Sequence, residues 1–169
     1  PLVSSSAASD VYKRQYEHKV TIDWLLNELL PFCSYVDADP EPKVVSLEHV
    51  HHLGTEVAGQ LSSPPCSILE LVNALHPTPA VGGDPQTEAL TIIKRVEGID
   101  RRRYAGPVGW VAADGDGEFA VGIRSAEVEA NTARLFAGVG LVEDSDPQSE
   151  LEETGAKFKT MLNTFLSTT

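Results

Sequence analysis

The sequence predicts an α+β fold in which an antiparallel sheet is flanked by helices. Two observations carry this prediction: helical periodicity lies towards both ends of the chain, and residues 106–137 hold four short alternating or apolar segments separated by turn residues. The chain has 169 residues and 41% hydrophobic content, which suits one domain with a core. It contains no internal repeat, so helices packed on an antiparallel sheet are the simplest layering.

The first third of the chain is predicted to contain one helix and two strands. Residues 1–15 are rich in Ser and Ala without a sustained period, and we interpret them as a non-native leader. Residues 17–30 have helical periodicity and are followed by a proline, which helps to end a helix. Residues 33–42 carry Pro and Asp and are predicted to form a loop, whereas residues 43–53 and 55–61 are predicted strands.

Two shorter helices are predicted in the middle of the chain. Residues 63–75 begin with Ser-Pro-Pro and continue with apolar residues at helical spacing. Residues 76–83 follow as a loop. Residues 84–97 form the next helix, because an Asp-Pro pair supplies a capping side chain and a proline suited to the first helical position. Gly98 is the expected stop.

The predicted sheet precedes the last helix. Its strands cover residues 106–113, 118–124, 127–130 and 133–137. Asp-Gly-Asp-Gly and Asn-Thr segments supply turns between them, so we expect an antiparallel meander that ends in Gly138-Val139-Gly140.

The last helix is strongly signalled. Ser145 or Asp146 can cap its free amides, and the proline that follows suits the first helical position. At 100° per residue its apolar residues form one stripe. The stripe consists of Leu151, Phe158, Met161, Leu162 and Phe165.

Three charged residues, Glu150, Glu153 and Lys157, lie together at the border of this stripe. One interpretation is a surface helix in which Glu153 and Lys157 pair across one turn, which stabilises a helix by about 0.2–0.5 kcal/mol. The other is that two carboxylates one turn apart hold a hard cation while the lysine faces an anionic ligand. The helix alone leaves both interpretations open.

Charge and composition exclude several classes of partner. A net charge of −12 and a pI near 4.7 argue against nucleic acid and anionic membrane surfaces, so the arginines at 101–103 are interpreted as a solvated turn. Cys33 and Cys66 lack the spacing of a zinc site or disulfide framework and suit a reducing compartment. No apolar run approaches the roughly 20 residues of a membrane span, and residues 1–15 lack the apolar core of a signal peptide. A cytoplasmic location is predicted.

Three histidines lie close together in the first predicted strand. His49 and His51 would share one side of it and His52 the other, so a three-histidine metal site would need a bend. We prefer ordinary strand residues to a transition-metal site, because short motif matches have a high false-positive rate.

Gly138 and Gly140 end the predicted sheet. They belong to neither nucleotide-binding fingerprint, and they form either a strand-end turn or a backbone that an anionic ligand can approach closely. Arg124 follows an apolar run, and an arginine there is either salt-bridged or a bidentate carboxylate binder. Position alone does not separate these alternatives.

Several segments resemble the chorismate-utilising enzymes, in family order and with matching spacing. They are Leu-His-Pro-Thr-Pro-Ala-Val-Gly-Gly-Asp-Pro at 75–85, residues 101–126, residues 134–157 and the pair Glu17-His18. The His-Pro-Thr-Pro-Ala loop resembles isochorismate and salicylate synthases, and the chain as a whole resembles the isochorismate synthases most. Anthranilate and aminodeoxychorismate synthases have a loop ending in Gly-Ala-Pro-Lys instead. The resemblance implies a water-using enzyme without a glutaminase partner, and it makes residues 16–169 the C-terminal part of a chorismate-binding catalytic domain.

The resemblance also implies roles for single residues. Glu17 and Glu153 match the family's magnesium-binding glutamates, with Glu150 beside the metal. His76 and Ala80 match the loop that lies under the substrate ring, and His76 is the catalytic candidate. The positions that match groups holding the substrate carboxylates are Tyr104, Arg124, the Gly138 backbone and Lys157. Mg²⁺ is the implied cofactor and chorismate the implied substrate. The implied reaction adds water at C2 and loses the C4 hydroxyl, giving isochorismate for menaquinone or a catecholate siderophore.

The sequence departs from the family pattern in ways that bear on the expected activity. Family members carry the lysine that activates water and the glutamate that protonates the leaving hydroxyl in an N-terminal half, which this sequence lacks. General acid–base catalysis needs both groups near the substrate, so the chain alone is expected to be inactive. Arg14 replaces a family acidic residue. Uncovered sheet edges and apolar faces are expected to make the chain associate.

Two alternatives to an isochorismate synthase fragment remain. A fragment of salicylate synthase would share the scaffold and add pyruvate elimination. A non-catalytic half-domain would bind chorismate, or a partner chain, without turning the substrate over.

Overall fold

The computed structural model describes residues 5–46 and 51–166 and has an α+β architecture, as predicted. Its helices are α1 (Ser5–Leu29), α2 (Ile68–Leu75), α3 (Pro79–Gly82), α4 (Gln86–Val96) and α5 (Pro147–Leu166). Its strands are β1 (Cys33–Ala38), β2 (Lys43–Ser46), β3 (His51–Gly54), β4 (Val57–Leu61), β5 (Pro107–Val111), β6 (Gly117–Val121), β7 (Ser125–Glu129) and β8 (Thr132–Phe136). α1 packs against α2, α3 and β1, and α5 packs against β8.

The strands form four two-stranded antiparallel sheets, β1–β4, β2–β3, β5–β6 and β7–β8. The continuous meander expected from the sequence is therefore wrong in one respect, because the four strands of residues 107–136 form two hairpins. Between these hairpins the backbone turns at Arg124, whose φ of 49° lies in the left-handed region. A residue in that conformation cannot continue a strand, so the ladder is interrupted there.

The first strand was missed by the sequence analysis. Residues 33–38 were expected in a loop, but β1 pairs with β4, and its register shifts between Cys33 and Tyr35. The polar side chains in β1 suit a strand with one exposed face. They also interrupt the apolar residues, so the sequence of β1 does not show the regular alternation expected of a strand. The single strand expected over 43–53 is also corrected, since β2 and β3 pair with each other antiparallel, from Lys43 opposite Gly54 onwards.

Local capping explains where the short helices begin. α2 starts later than predicted, because Ser67 rather than the Ser-Pro-Pro run caps it: the Glu70 amide donates to Ser67 Oγ (3.2 Å), and the Ser67 amide donates to the Glu70 carboxylate (2.8 Å). The loop expected over 76–83 contains α3, which has a proline at its first position. Pro85 is itself the N-cap of α4, with no side-chain cap bond, and Gly98 follows this helix with φ 64° as expected.

α1 is longer than the helix that the sequence predicted. It begins at Ser5 and runs without a break into the predicted helix, so residues 5–15 share its backbone hydrogen bonding. Whether those residues are native to the protein stays a prediction.

The described part of the chain has little core of its own. Its buried apolar residues are Ala105 and Phe136, each 6% exposed. The predicted apolar stripe of α5 is largely open to solvent, with Leu151 66% exposed and Phe165 43% exposed. Trp110 on β5 is also exposed. Apolar surface on this scale normally meets another protein surface.

Two further features of the described residues bear on the predictions. Cys33 and Cys66 are free thiols rather than a disulfide. No helix in the described ranges combines the length and the apolar character needed to cross a membrane.

Candidate functional site

The first and last helices bring three predicted metal-site glutamates into one region. Glu17 lies on α1, and Glu150 and Glu153 lie on the first turns of α5. Burial raises the pKa of Glu17, the Lys13 ammonium lowers it, and the charges of Glu150 and Glu153 raise it further. Carboxylates shift one another's pKa in this way only when they are close. Residues from opposite ends of the sequence therefore share one electrostatic environment.

Capping by Asp146 fixes the start of α5 and hence the position of Glu150. The Ser149 amide donates to Asp146 Oδ2 at 2.8 Å, whereas Ser145 Oγ accepts from the Val142 amide in the preceding turn. Of the two capping candidates in the sequence, Asp146 is the one that caps the helix. Glu150 is then in the first turn, where the helix dipole favours a carboxylate, and it is only 7% exposed.

Lys13 lies between the two helices and was missed by the sequence analysis. Its ammonium forms an ion pair with Glu150 Oε1 and lies 3.8 Å from Glu17 Oε1. It belongs to the segment that was set aside as a leader, so its charge was not considered. Its spacing of four residues before Glu17 was the available signal, because residues four apart are neighbours on a helix.

Two carboxylate oxygens in this region remain without hydrogen bonds. Glu17 Oε1 and Glu150 Oε2 are buried and accept no hydrogen bond from any residue that the structure describes. Buried charged oxygens are costly unless a cation or a donor satisfies them, so this pair fits a hard cation. Among the described residues no three acidic, histidine or cysteine side chains form a ready metal site. Mg²⁺ is usually held by one or two carboxylates together with water and a substrate anion, which is consistent with this arrangement.

Gly140 lies directly against one of these carboxylates. A methyl group at this glycine would come within 3.4 Å of Glu17 Oε1 and 3.5 Å of Glu17 Oε2. The absent side chain therefore leaves open space beside the Glu17 oxygens, which was not anticipated for this glycine.

Lys157 connects the glutamates to the turn after β8. Its ammonium is 2.9 Å from Glu153 Oε1 and donates to the carbonyl oxygen of Gly138 at 2.9 Å. The expected Glu153–Lys157 pair exists, and the same ammonium also contacts a residue that the resemblance implies in carboxylate binding. The two interpretations of this helix are compatible.

Tyr104 is held beside the same turn. Its ring stacks on Phe136 with centroids 5.2 Å apart and an interplanar angle of 11°. A methyl group at Gly138 would lie 2.9 Å from the Tyr104 hydroxyl, so only glycine permits this approach. Burial raises the pKa of Tyr104 and keeps the phenol neutral. The Tyr104 hydroxyl and the Lys157 ammonium thus both lie close to Gly138.

The arginine run corrects another expectation. Arg101 was interpreted as part of a solvated turn, but it is half-buried, forks onto the Glu97 carboxylate and donates to the Val81 carbonyl at 2.8 Å. Its guanidinium also lies 5.9 Å from the centre of the Tyr104 ring. The partner is Glu97, four positions earlier, and the net charge of the chain gives no information about this local ion pair.

A cavity of about 140 Å³ lies between these elements. Residues from α3, the Arg101 turn, β8 and α5 line it, among them Val81, Tyr104, Phe136, Gly138 and Phe158. The cavity therefore lies between α3 and the turn at Gly138, which Lys157 contacts.

The remaining predicted residues lie at the end of α2, on α3 and between β6 and β7. His76 follows α2 and is half-buried, and burial lowers the pKa of its imidazole; Ala80 is exposed on α3. Arg124 is half-buried between β6 and β7. His49 and the side chains of His51 and His52 lie outside the described residues, so the interpretation of these histidines stays a prediction.

Comparison with known proteins places the chain among enzymes of one family. The model of the family described as chorismate binding enzyme matches residues 7–166. The isochorismate synthases MenF and DhbC of Bacillus subtilis are each 44% identical to the chain, over 151 and 157 residues. These matches cover 89% and 93% of this chain but 32% and 38% of the relatives. The chain thus spans about a third of their length.

Solved structures of similar proteins also belong to chorismate-using enzymes named as synthases. A structure described as a 2,3-dihydroxybenzoate-specific isochorismate synthase, DhbC, from Bacillus anthracis superimposes with a TM-score of 0.84 at 43% identity, covering 95% of this chain and 45% of the other. Anthranilate synthase component I from Streptococcus pneumoniae superimposes with a TM-score of 0.80 at 31% identity, covering 91% of this chain and 36% of the other.

Proposed function

Because this chain belongs to the chorismate binding enzyme family, we propose that it is the C-terminal part of an isochorismate synthase. The proposed reaction converts chorismate to isochorismate by adding water at C2 and losing the C4 hydroxyl. The observation that carries the proposal is the meeting of Glu17 and Glu150, with their unsatisfied oxygens, beside Lys157 and Gly138. The 44% identity to isochorismate synthases supports this choice of reaction.

Chorismate carries two carboxylates, and the chain offers cationic and neutral donors for them. Lys157 can turn from the Gly138 carbonyl to a substrate carboxylate, and the neutral phenol of Tyr104 can donate beside it. Arg124 supplies a guanidinium that binds carboxylates in a planar fork. His76, whose pKa is lowered by burial, is neutral at pH 7 and can exchange a hydrogen bond under the ring without adding charge.

Glu17, Glu150 and Glu153 are the residues that would hold Mg²⁺. Their support is the pair of buried, unsatisfied oxygens and the hard-cation preference of carboxylates. When bound, the metal would neutralise a substrate carboxylate and assist loss of the C4 hydroxyl. The Gly140 backbone leaves room beside Glu17.

The proposed catalysis needs groups that this sequence does not supply. The chain spans about a third of the length of these relatives. The resemblance implies that the water-activating lysine and the acid glutamate belong to an N-terminal half of the family's catalytic domain. We therefore propose that the chain alone holds substrate and metal groups without turnover. A cytoplasmic location and action without a glutaminase subunit belong to the same proposal.

A chimera tests the proposed reaction. Residues 16–166 replace the matching segment of the B. subtilis isochorismate synthase DhbC, and the products from chorismate and Mg²⁺ are separated by chromatography. Isochorismate supports the proposal. Salicylate with pyruvate would instead favour a salicylate synthase. A folded chimera that binds chorismate but releases no product would favour the non-catalytic half-domain.

A further inference from the structure

We propose that the Lys13 ammonium competes with a divalent cation for Glu17 and Glu150, and so weakens metal binding by this chain. The inference rests on the proposed metal role of these glutamates and goes beyond it, because it assigns a function to a residue in the segment set aside as a leader. Lys13 would act as an internal, displaceable counter-ion.

The contacts of Lys13 carry the inference. Its ammonium pairs with Glu150 Oε1 and lies 3.8 Å from Glu17 Oε1, so it approaches both carboxylates at once. The Lys13 and Glu150 side chains are 21% and 9% exposed. The pair is therefore largely shielded from water and salt, which would otherwise screen it. A single positive charge already occupies the space that faces both glutamates.

A metal ion and this ammonium cannot both bind the two carboxylates closely. A divalent cation bound to both carboxylates would lie within a few ångströms of Lys13 Nζ, where like charges repel strongly in a partly buried site. Metal binding must therefore displace the lysine and break its ion pair with Glu150.

The lysine satisfies the glutamates only in part. Within the described part of the chain, Glu17 Oε1 and Glu150 Oε2 still accept no hydrogen bond. A dication brings twice the charge and can satisfy both oxygens, so the lysine lowers metal affinity without abolishing it. The flexible four-carbon stem of lysine lets the ammonium leave while α1 stays in place.

Lys19 provides a matched control on the same helix. It pairs with Asp23 one turn away, and both side chains are more than half exposed. Neutralising Lys19 changes the net charge of the chain by the same amount as neutralising Lys13, but it leaves the Glu17–Glu150 region untouched.

The test measures Mn²⁺ binding to the full 169-residue chain by electron paramagnetic resonance, since Mn²⁺ shares the carboxylate preference of Mg²⁺. We expect Lys13→Met to lower the dissociation constant about tenfold or more, a change of about 1.4 kcal/mol or greater. Lys19→Met should leave the dissociation constant unchanged, and adding Glu17→Gln to Lys13→Met should remove the gain. Circular dichroism checks that helix content is retained.

The outcomes separate this inference from the metal assignment. Equal Mn²⁺ affinity of the unmodified chain and Lys13→Met overturns the competition while leaving the metal site intact. Absence of binding in both overturns the competition and the proposed metal site together.

A second measurement uses the unmodified chain and so does not depend on a folded variant. Mass spectrometry follows acylation of Lys13 by an amine-reactive ester as Mg²⁺ is added. Displacement predicts that Lys13 becomes more reactive while Lys19 does not. Constant reactivity of Lys13 at saturating Mg²⁺ overturns the inference.

Discussion

Lys157 donates a hydrogen bond to the carbonyl oxygen of Gly138 across 2.9 Å and so joins the last helix to the turn that follows the last strand. The two residues are 19 positions apart. The resemblance to the family implies that both bind substrate carboxylates, which stays a prediction. The same ammonium pairs with Glu153, so one side chain links the proposed metal side of the site to its proposed substrate side.

Replacing Lys157 by Met should impair substrate binding more than folding. The bond and the ion pair are substantially exposed, so their loss should cost about 0.5 kcal/mol of stability or less. Loss of a cation that faces a carboxylate should raise the KM of the chimera for chorismate about tenfold or more. Steady-state kinetics and urea unfolding measure the two effects. Lys159→Met, on the exposed side of α5, should change neither, and an unchanged KM in Lys157→Met would refute the substrate role.

Gly138→Ala should disturb Tyr104. The new methyl group would meet the Tyr104 hydroxyl at 2.9 Å, and the ring is fixed by stacking on Phe136. We expect a loss of about 1–3 kcal/mol in the free energy of unfolding, as for an overpacked site. Gly155→Ala is the matched control, because a methyl group there meets nothing within 4 Å. It should stabilise α5 by about 0.5–1 kcal/mol. Chemical denaturation that ranked these two variants the other way would contradict the packing described.

Arg101→Met should destabilise the chain by about 1–3 kcal/mol. The variant loses the fork onto Glu97 and leaves the Val81 carbonyl without its charged donor. Arg102→Met breaks an exposed pair with Glu127 and should cost at most about 1 kcal/mol. Urea unfolding compares the two variants. Equal losses in the free energy of unfolding would show that the Arg101 contacts stabilise the chain no more than the exposed Arg102 pair does.

The stability of the chain should depend on pH through His76. Burial lowers its pKa below the usual value near 6.5, so the unfolded state binds protons more readily. Its contribution is fully present above about pH 6.5 and is lost as pH falls through the lower folded pKa. Thermal melts between pH 7.5 and 5 should therefore show a smaller fall for His76→Gln than for the unmodified chain. Since other groups titrate in both chains, the difference between the two curves isolates His76, and parallel curves would refute the prediction.

The chain alone should associate in solution. Large apolar side chains such as Trp110 and Leu151 are exposed, and the buried apolar residues of the described part are few. Light scattering should show species larger than the monomer at micromolar concentration. A monomeric species alone at this concentration would contradict this expectation.

The sequence predicted the elements with strong local signals and missed those that depend on distant partners. Asp146 and the proline after it marked the start of α5, since a cap acts within one turn. β1 was missed because it is stabilised by pairing with β4, whose residues lie 19 to 28 positions away from their partners, while its own polar residues resemble a loop. The break between β6 and β7 depends on the backbone of Arg124, which composition does not reveal.

The resemblance implied which residues form the candidate site, but it did not reveal their electrostatics. Glu17, Glu153 and Lys157 were matched one by one to family positions. The ion pair of Lys13 with Glu150, 137 positions away, and the hydrogen bond from Arg101 to the Val81 carbonyl, 20 positions away, join residues far apart in the chain. No single-segment pattern contains such contacts.

The most direct test of the account compares two glutamates on α5 in the chimera. In this chain Glu150 is buried near Glu17, whereas Glu152 is exposed and accepts a hydrogen bond from Gln148. We expect Glu150→Gln to lower Mg²⁺-dependent isochorismate formation about 100-fold, because a metal-site carboxylate is lost, and Glu152→Gln to leave the rate near that of the parent chimera. Equal rates and equal Mg²⁺ requirements in the two variants would contradict the proposed metal role of Glu150.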